Sequence, residues 1–161
     1  MIHPATPDDY EAILSIWNPV IRDTTIIFAN EERTPEMLAA LIAERRAAGR
    51  EFFVAEADRR VVGFASYAQF RGGNGYAHAM EHTVIVAPDA GGKGVGRALM
   101  ARVEDHARAG GAHTLFAGVS GDNGPGIAFH ERVGFKTLAR IPEAGRKFGR
   151  WLDLVLMMKF L

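Results

Sequence analysis

The chain has no cysteine among its 161 residues, which excludes disulfides, thiolate metal sites and a cysteine nucleophile. It has no net charge either. With 19 basic and 19 acidic side chains, no overall field draws it to nucleic acid or to an anionic membrane. No apolar run approaches the roughly 20 residues that span a bilayer. Met1-Ile2-His3-Pro4 lacks the charged-then-apolar order of a signal peptide, so a cytoplasmic protein is expected. Repeats, low-complexity tracts and linkers are also missing, and residues 1–161 are expected to form one domain.

Hydrophobic residues make up 48% and charged residues 24%, a balance that supports a buried core. Thr6-Pro7-Asp8-Asp9 supplies an N-cap, a proline at the first helical position and a capping-box acid. Ile13, Ile16, Trp17 and Val20 follow at helical spacing. Thr34-Pro35-Glu36 repeats the start signal for a second helix, which carries Leu38, Leu41 and Ile42 and stops near Gly49. Phe52 to Ala57 and Val61 to Tyr67 are predicted strands around an Asp58-Arg59-Arg60 turn. Met80 to Val86 is a third strand, with Glu81, Thr83 and Ile85 on one face and His82, Val84 and Val86 on the other. A glycine-rich turn then leads into a helix bearing Val95, Leu99, Val103 and His106. Thr114 to Val119 is a strand, and Asn123-Gly124-Pro125 opens a short helix closed at Gly134. The last strand pair is Lys136 to Ile141 with Trp151 to Phe160. Strands that first pair locally and then alternate with helices predict an α/β (α+β) fold, a mixed sheet covered by helices.

The turn Gly91-Gly92-Lys93-Gly94-Val95-Gly96 reads either as a plain flexible turn or as a pyrophosphate cradle. For the cradle, glycines let backbone N–H groups face a ligand, the helix N-terminus adds a positive dipole end, and Lys93 and Arg97 add charge. Two other phosphate motifs fail. A Walker loop would need Lys-Ser/Thr after its glycine, but Arg97-Ala98 follows Gly96. A dinucleotide fingerprint would need its last glycine one residue later. His78-Ala79-Met80-Glu81-His82 spells an inverted zinc-protease motif, yet on a strand its histidines stand about 13 Å apart, so no metal is expected. Gly118-Val119-Ser120-Gly121-Asp122 misses a nucleophile elbow at its final position.

The glycine turn resembles the coenzyme A loop of the GNAT superfamily of N-acetyltransferases, with Gly91 where that family usually has Gln or Arg. Asn123 and His130-Glu131-Arg132-Val133-Gly134-Phe135 follow in the order of the family's second signature. Asn18, Thr24-Thr25, Ala65-Ser66-Tyr67, Arg71, Glu81-His82-Thr83-Val84 and Lys147-Phe148-Gly149-Arg150-Trp151-Leu152-Asp153 narrow the resemblance to phosphinothricin and methionine sulfoximine/sulfone acetyltransferases. The resemblance implies a mostly antiparallel GNAT sheet, acetyl-CoA as co-substrate, a small amino-acid-like acceptor and a homodimer.

It also implies roles. Val84, Ile85 and Val86 would pair with the pantetheine amides, and Gly92, Lys93, Gly94, Val95, Gly96, Arg97 and Asn123 would hold the rest of the coenzyme. Arg71, Gly72, Gly73, Glu81, His82 and Thr83 would meet the acceptor. Glu81 would be the base, directly or through a water, and His130 would protonate the departing thiolate. By residue chemistry alone, Glu81 reads first as an exposed strand carboxylate, and His130 could be a packed histidine. Arg71 could be a solvated loop residue and Asn123 a helix cap. The alternatives are a GNAT enzyme acting on another amine, such as a peptide N-terminus, or a non-catalytic acetyl-CoA-binding protein.

Overall fold

Thr34 caps its helix as its context predicts, its hydroxyl accepting from the Met37 N–H at 3.2 Å. At the other start signal the Thr6 N–H donates to the Asp9 carboxylate at 2.7 Å, and one 3₁₀ turn precedes the α-helix. In a computed structural model describing residues 1–161, the elements run β1 (Ile2–Pro4), α1 (Tyr10–Asp23), α2 (Pro35–Ala47), β2 (Phe52–Ala57) and β3 (Arg60–Gln69). Then come β4 (Ala79–Val86), α3 (Val95–Ala109), β5 (Thr114–Ser120), α4 (Gly124–Arg132), β6 (Lys136–Lys147) and β7 (Arg150–Phe160).

The strands form one sheet of order β1-β2-β3-β4-β5-β7-β6. Every neighbouring pair is antiparallel except β4–β5, whose parallel connection needs the crossover that α3 supplies. Alternation along the strands feeds two cores. Phe53, Ala65, Leu115 and Met157 pack with Leu99, Met100 and Val103 of α3. Phe52, Val54 and Phe64 face the other way, onto Ile13, Trp17 and Ile21 of α1 and Leu38 and Ile42 of α2. Each fully buried Phe, Leu, Ile, Val or Met among them contributes about 1.5–3 kcal/mol. The β4 alternation is as expected: Val84 and Val86 join the α3 core, and Ile85 joins the α1–α2 core.

Two strands differ from their sequence reading. β1 is too short to show a period, yet Ile2, His3 and Pro4 register against Ala55, Val54 and Phe53 as an edge strand. β6 does not stop at Ile141; it crosses register shifts at 137–139 and 141–145 and runs on to Lys147. The shifts break the period of two, so the pattern hides the strand's length.

One topological feature sets up the site. β4 and β5 are in register only at Ala79–Thr114, Met80–Leu115 and Glu81–Phe116. Beyond Glu81, β4 stays with β3 as far as Val86, while β5 stays with β7 as far as Ser120. The two strands therefore part, and the β5-facing edge of β4 from His82 onward has no strand partner. That free edge is a backbone acceptor for an extended ligand.

Candidate active site

The parting strands open into two cavities. One of about 580 Å³ lies between the end of β4, the glycine-rich turn and α4, with Val84, Val86, Arg97, Phe129 and Arg132 among its walls. The other, of about 350 Å³, lies between β4, β5 and the α1–α2 connection, and holds Glu81 and Thr83. Val84, Asn123 and His130 line both, so the cavities meet there.

The glycines of the turn have different reasons. Gly92 and Gly94 have φ of 74° and 81°, the left-handed region, and Gly94 stands immediately before Val95 at the start of α3. A Cβ at Gly94 would meet nothing within 4 Å, so its constraint is the backbone angle. Gly96 is a packing glycine: a Cβ there would come within 3.1 Å of the Phe129 ring. Gly91 has an ordinary φ of −61°. Lys93 is exposed and does not line the cavity, whereas Arg97 does; Arg132, which the sequence did not single out, also lines it. Gly94→Val is therefore expected to weaken acetyl-CoA binding about tenfold, roughly 1.4 kcal/mol, through strain at the cradle. Gly91→Val should leave it within about twofold, and calorimetric titration of both variants separates the two cases.

Glu81 points into the smaller cavity beside Gly118 of β5; a Cβ on Gly118 would lie 3.3 Å from its Oε2. Gly118 thus keeps room for the carboxylate. Burial alone, with no ion pair or hydrogen bond opposing it, raises the Glu81 pKa above the ordinary carboxylate value. A carboxylate so raised holds a proton more readily, which suits a base working near neutral pH.

His130 is buried on α4. Its Nδ1 lies 2.7 Å from the Gly126 carbonyl, which only accepts, so Nδ1 carries the proton. Its Nε2 then accepts from His82 Nε2, 3.1 Å away. By the same logic His82 Nδ1 is unprotonated, and it is buried without a partner. Burial first, then the neighbouring His130, pushes the His82 pKa down to about 3; burial also lowers that of His130. Both rings are neutral in the fold, and neither holds a free N–H. In the unfolded chain they titrate near 6.5, so the unfolded state binds more protons below that pH. Stability is expected to fall as pH drops from 6.5 toward 3, and denaturant unfolding of His82→Gln should show a shallower loss over that window.

Asn123 uses its side-chain oxygen as the α4 cap, accepting from Gly126 N–H at 3.0 Å, while lining both cavities. Arg71, Gly72 and Gly73 lie elsewhere. They form an exposed loop after β3, pinned by Gln69 Nε2 donating to the Arg71 and Gly73 carbonyls at 2.8 and 2.7 Å. The Arg71 guanidinium sits 5.8 Å over the Tyr76 ring, and none of the three lines the cavity that holds Glu81. His78 Nδ1 is 2.7 Å from the Gly111 carbonyl, and no group of three or more His, Cys, Asp or Glu side chains is placed to hold a metal.

Sequence reasoning missed the α1–α2 connection as a wall of the site. Trp17, Ile21, Phe28 and Arg33 all line the Glu81 cavity. Lys147 supports that wall: buried, it donates to the Ile21 and Ile27 carbonyls at 2.6 and 2.7 Å. Phe28 packs on Gly145 of β6, where a Cβ would overlap its ring. The signal available was the Lys147-Phe148-Gly149-Arg150-Trp151 segment, which marks a resemblance without revealing a contact.

A sequence profile described as Acetyltransferase (GNAT) family matches residues 13–135. A methionine sulfoximine/methionine sulfone acetyltransferase of Pseudomonas aeruginosa is 39% identical over 160 residues, covering 97% of this chain and 91% of that protein. Among solved structures, a Brucella melitensis protein described as a ribosomal-protein-alanine N-acetyltransferase superposes with a TM-score of 0.96 at 38% identity, covering 100% of this chain and 99% of that one. A Salmonella typhimurium acetyltransferase, solved with its cofactor acetyl-CoA, gives 0.95 at 35% identity, covering 100% of this chain and 93% of that one. The wedge between β4 and β5 and the left-handed glycines of the turn suit an extended, pyrophosphate-bearing ligand, and with these matches the chain belongs to the acetyltransferase (GNAT) family as an acetyl-CoA-dependent N-acetyltransferase.

Proposed function

We propose that the acceptor is the α-amino group of a small amino acid analogue of the methionine sulfoximine, methionine sulfone or phosphinothricin type. The observation that carries this reading is the junction at Val84, Asn123 and His130, where a coenzyme-sized cleft meets a cavity of about 350 Å³ holding a carboxylate. Relatives that are 36% and 39% identical, named for methionine sulfoximine and sulfone, support it.

In this reading the pantetheine arm extends along the free edge of β4 at Val84, Ile85 and Val86, and the first turn of α3 meets the pyrophosphate. Glu81 takes a proton from the acceptor's ammonium; the free amine attacks the thioester carbon, the tetrahedral adduct expels the thiolate as its C–S bond breaks, and the second proton lost by the nitrogen as the amide forms balances the one the thiolate gains. Holding both reactants at one junction supplies most of the acceleration. His130 is the proposed donor to the thiolate. Because its one N–H, on Nδ1, is spent on the Gly126 carbonyl while Nε2 accepts from His82, donation requires it to leave Gly126, so its contribution ranks below that of Glu81.

The same reading makes the protein a cytoplasmic homodimer; no helix is long and apolar enough to cross a membrane. The β6–β7 hairpin, with Leu138, Ile141, Phe148 and Trp151 exposed, is the face proposed to pair, and sedimentation equilibrium tests it. The Brucella neighbour's description favours a second reading, a peptide N-terminus as acceptor. Thiol release measured over free amino acids, methionine sulfoximine, methionine sulfone, phosphinothricin and an alanine-initiated peptide decides. Turnover of the sulfoximine well above the peptide is expected; turnover of the peptide alone replaces the proposal.

A further inference from the structure

We propose that Lys159 is a positioning residue for coenzyme binding: with Glu104 it fixes α4 against α3, the two helices that wall the coenzyme cleft. Its place is off pattern. Along β7, Val155 and Met157 are buried in the α3 core, and a period of two puts Lys159 on that same face. On α3, Glu104 stands within the buried stripe of Met100, Val103 and Ala107. Charged side chains at inward positions of two elements are costly to bury and call for a compensating role.

The ammonium has an acceptor for each of its hydrogens. Lys159 Nζ donates to Glu104 Oε2 and Oε1 at 2.8 and 3.0 Å, and to the Val133 carbonyl at 2.8 Å. Val133 is the C-cap of α4, so the charge also meets the negative end of that helix. Gly134 makes room for the contact: its φ of 99° is left-handed, and a Cβ there would lie 3.3 Å from Lys159 Cε. Only 11% of the Glu104 side chain is exposed, which shields the pair from the water that weakens surface ion pairs.

The same two helices form the lips of the coenzyme cleft. Val95, Gly96 and Arg97 line it from the start of α3, and Phe129, Arg132 and Val133 from the end of α4. The lips touch where Gly96 meets the Phe129 ring, the approach that leaves no room for a Cβ. One point of contact does not fix the angle between two helices. Lys159 supplies a second, about two turns along α3 from Arg97 and about one turn past Phe129 on α4. His130 lies between these points on α4 and is carried by the same anchorage. An apolar pair of similar volume would hold β7 to α3 as firmly, but it would not grip a carbonyl. Orientation of α4 is what the ion pair adds.

The test titrates acetyl-CoA calorimetrically into the whole protein, which needs no acceptor, and reads Tm beside it. The double variant Glu104→Met with Lys159→Met replaces the ion pair by apolar side chains and is expected to keep a Tm close to wild type. Its Kd for acetyl-CoA should rise roughly three- to thirtyfold, the scale on which residues outside a ligand contact alter binding. Glu104→Gln keeps an oxygen for Lys159 and so keeps the ammonium on Val133; its Kd should stay within about twofold of wild type. A double variant with wild-type Tm and wild-type Kd would show that the pair serves packing and register alone. A double variant that fails to fold, or a Glu104→Gln that loses as much affinity as the double variant, would equally overturn the assignment.

Discussion

Glu81→Gln is expected to lower kcat at least a hundredfold while acetyl-CoA binds as in wild type. A positioned base commonly contributes 10²–10⁴-fold, and Gln keeps the shape beside Gly118 but cannot take a proton. The pH profile gives the sharper check. Only ionised Glu81 works as a base, so wild-type kcat/KM should rise with pH through its folded pKa, which burial holds above the ordinary 4.5. That limb should vanish in the variant. The linked stability has the opposite sense. A carboxyl whose folded pKa is raised favours its protonated form in the fold, so its contribution is full below 4.5 and is lost as pH rises through the folded value. Glu81→Gln should remove that loss and leave the variant at least as stable as wild type at neutral pH. Wild-type turnover across the pH range in the variant would take Glu81 out of the mechanism.

Lys147→Met is expected to be the most destabilising single change near the site. The ammonium is held by two carbonyls, Ile21 at the C-terminal end of α1 and Ile27 in the connection that follows. A cation at a helix C-terminus is favoured by the dipole, and hydrogen bonds to a charged group are worth about 1.5–3 kcal/mol each. Met keeps the apolar stem and leaves both carbonyls unpaired, so a loss of about 3 kcal/mol or more follows. For a domain of this size that lowers Tm by roughly 6–12 °C, read by differential scanning calorimetry. Because the same bonds hold the wall carrying Ile26, Ile27 and Phe28, KM for the acceptor should rise more than KM for acetyl-CoA. A variant with wild-type Tm would show that the connection is held by its apolar packing, such as Phe28 on Gly145.

The two predictions rest on residues of different legibility. Glu81 could be singled out from sequence because it lies on an alternating strand just ahead of a glycine turn, a local arrangement that a period of two and a resemblance both report. Lys147 could be quoted within a motif, but its partners lie about 120 positions away, and no local pattern encodes such a contact. Arg33 carried no signal; it became notable only when α1 brought Asn18 and Trp17 against it. Arg71 was legible by its chemistry, which suits a carboxylate, while its seat over the Tyr76 ring is set by the β3–β4 loop.

What the sequence determined by itself was local and periodic. It specified the helix starts at Thr6 and Thr34, the opposed faces of β4, and the helix opening at Val95 after glycines that tolerate a left-handed backbone. Each follows from steric limits on a few adjacent residues, so a short window suffices. Tertiary structure alone decided where β4 and β5 separate, because that depends on β3 and β7 holding the two strands apart after Glu81–Phe116. It also decided that the histidines of two elements share one proton-bearing contact, and that the α1–α2 connection walls the same cavity as Glu81. Those are relations between segments distant in the chain, set by packing two cores on one sheet, and no spacing along the chain records them.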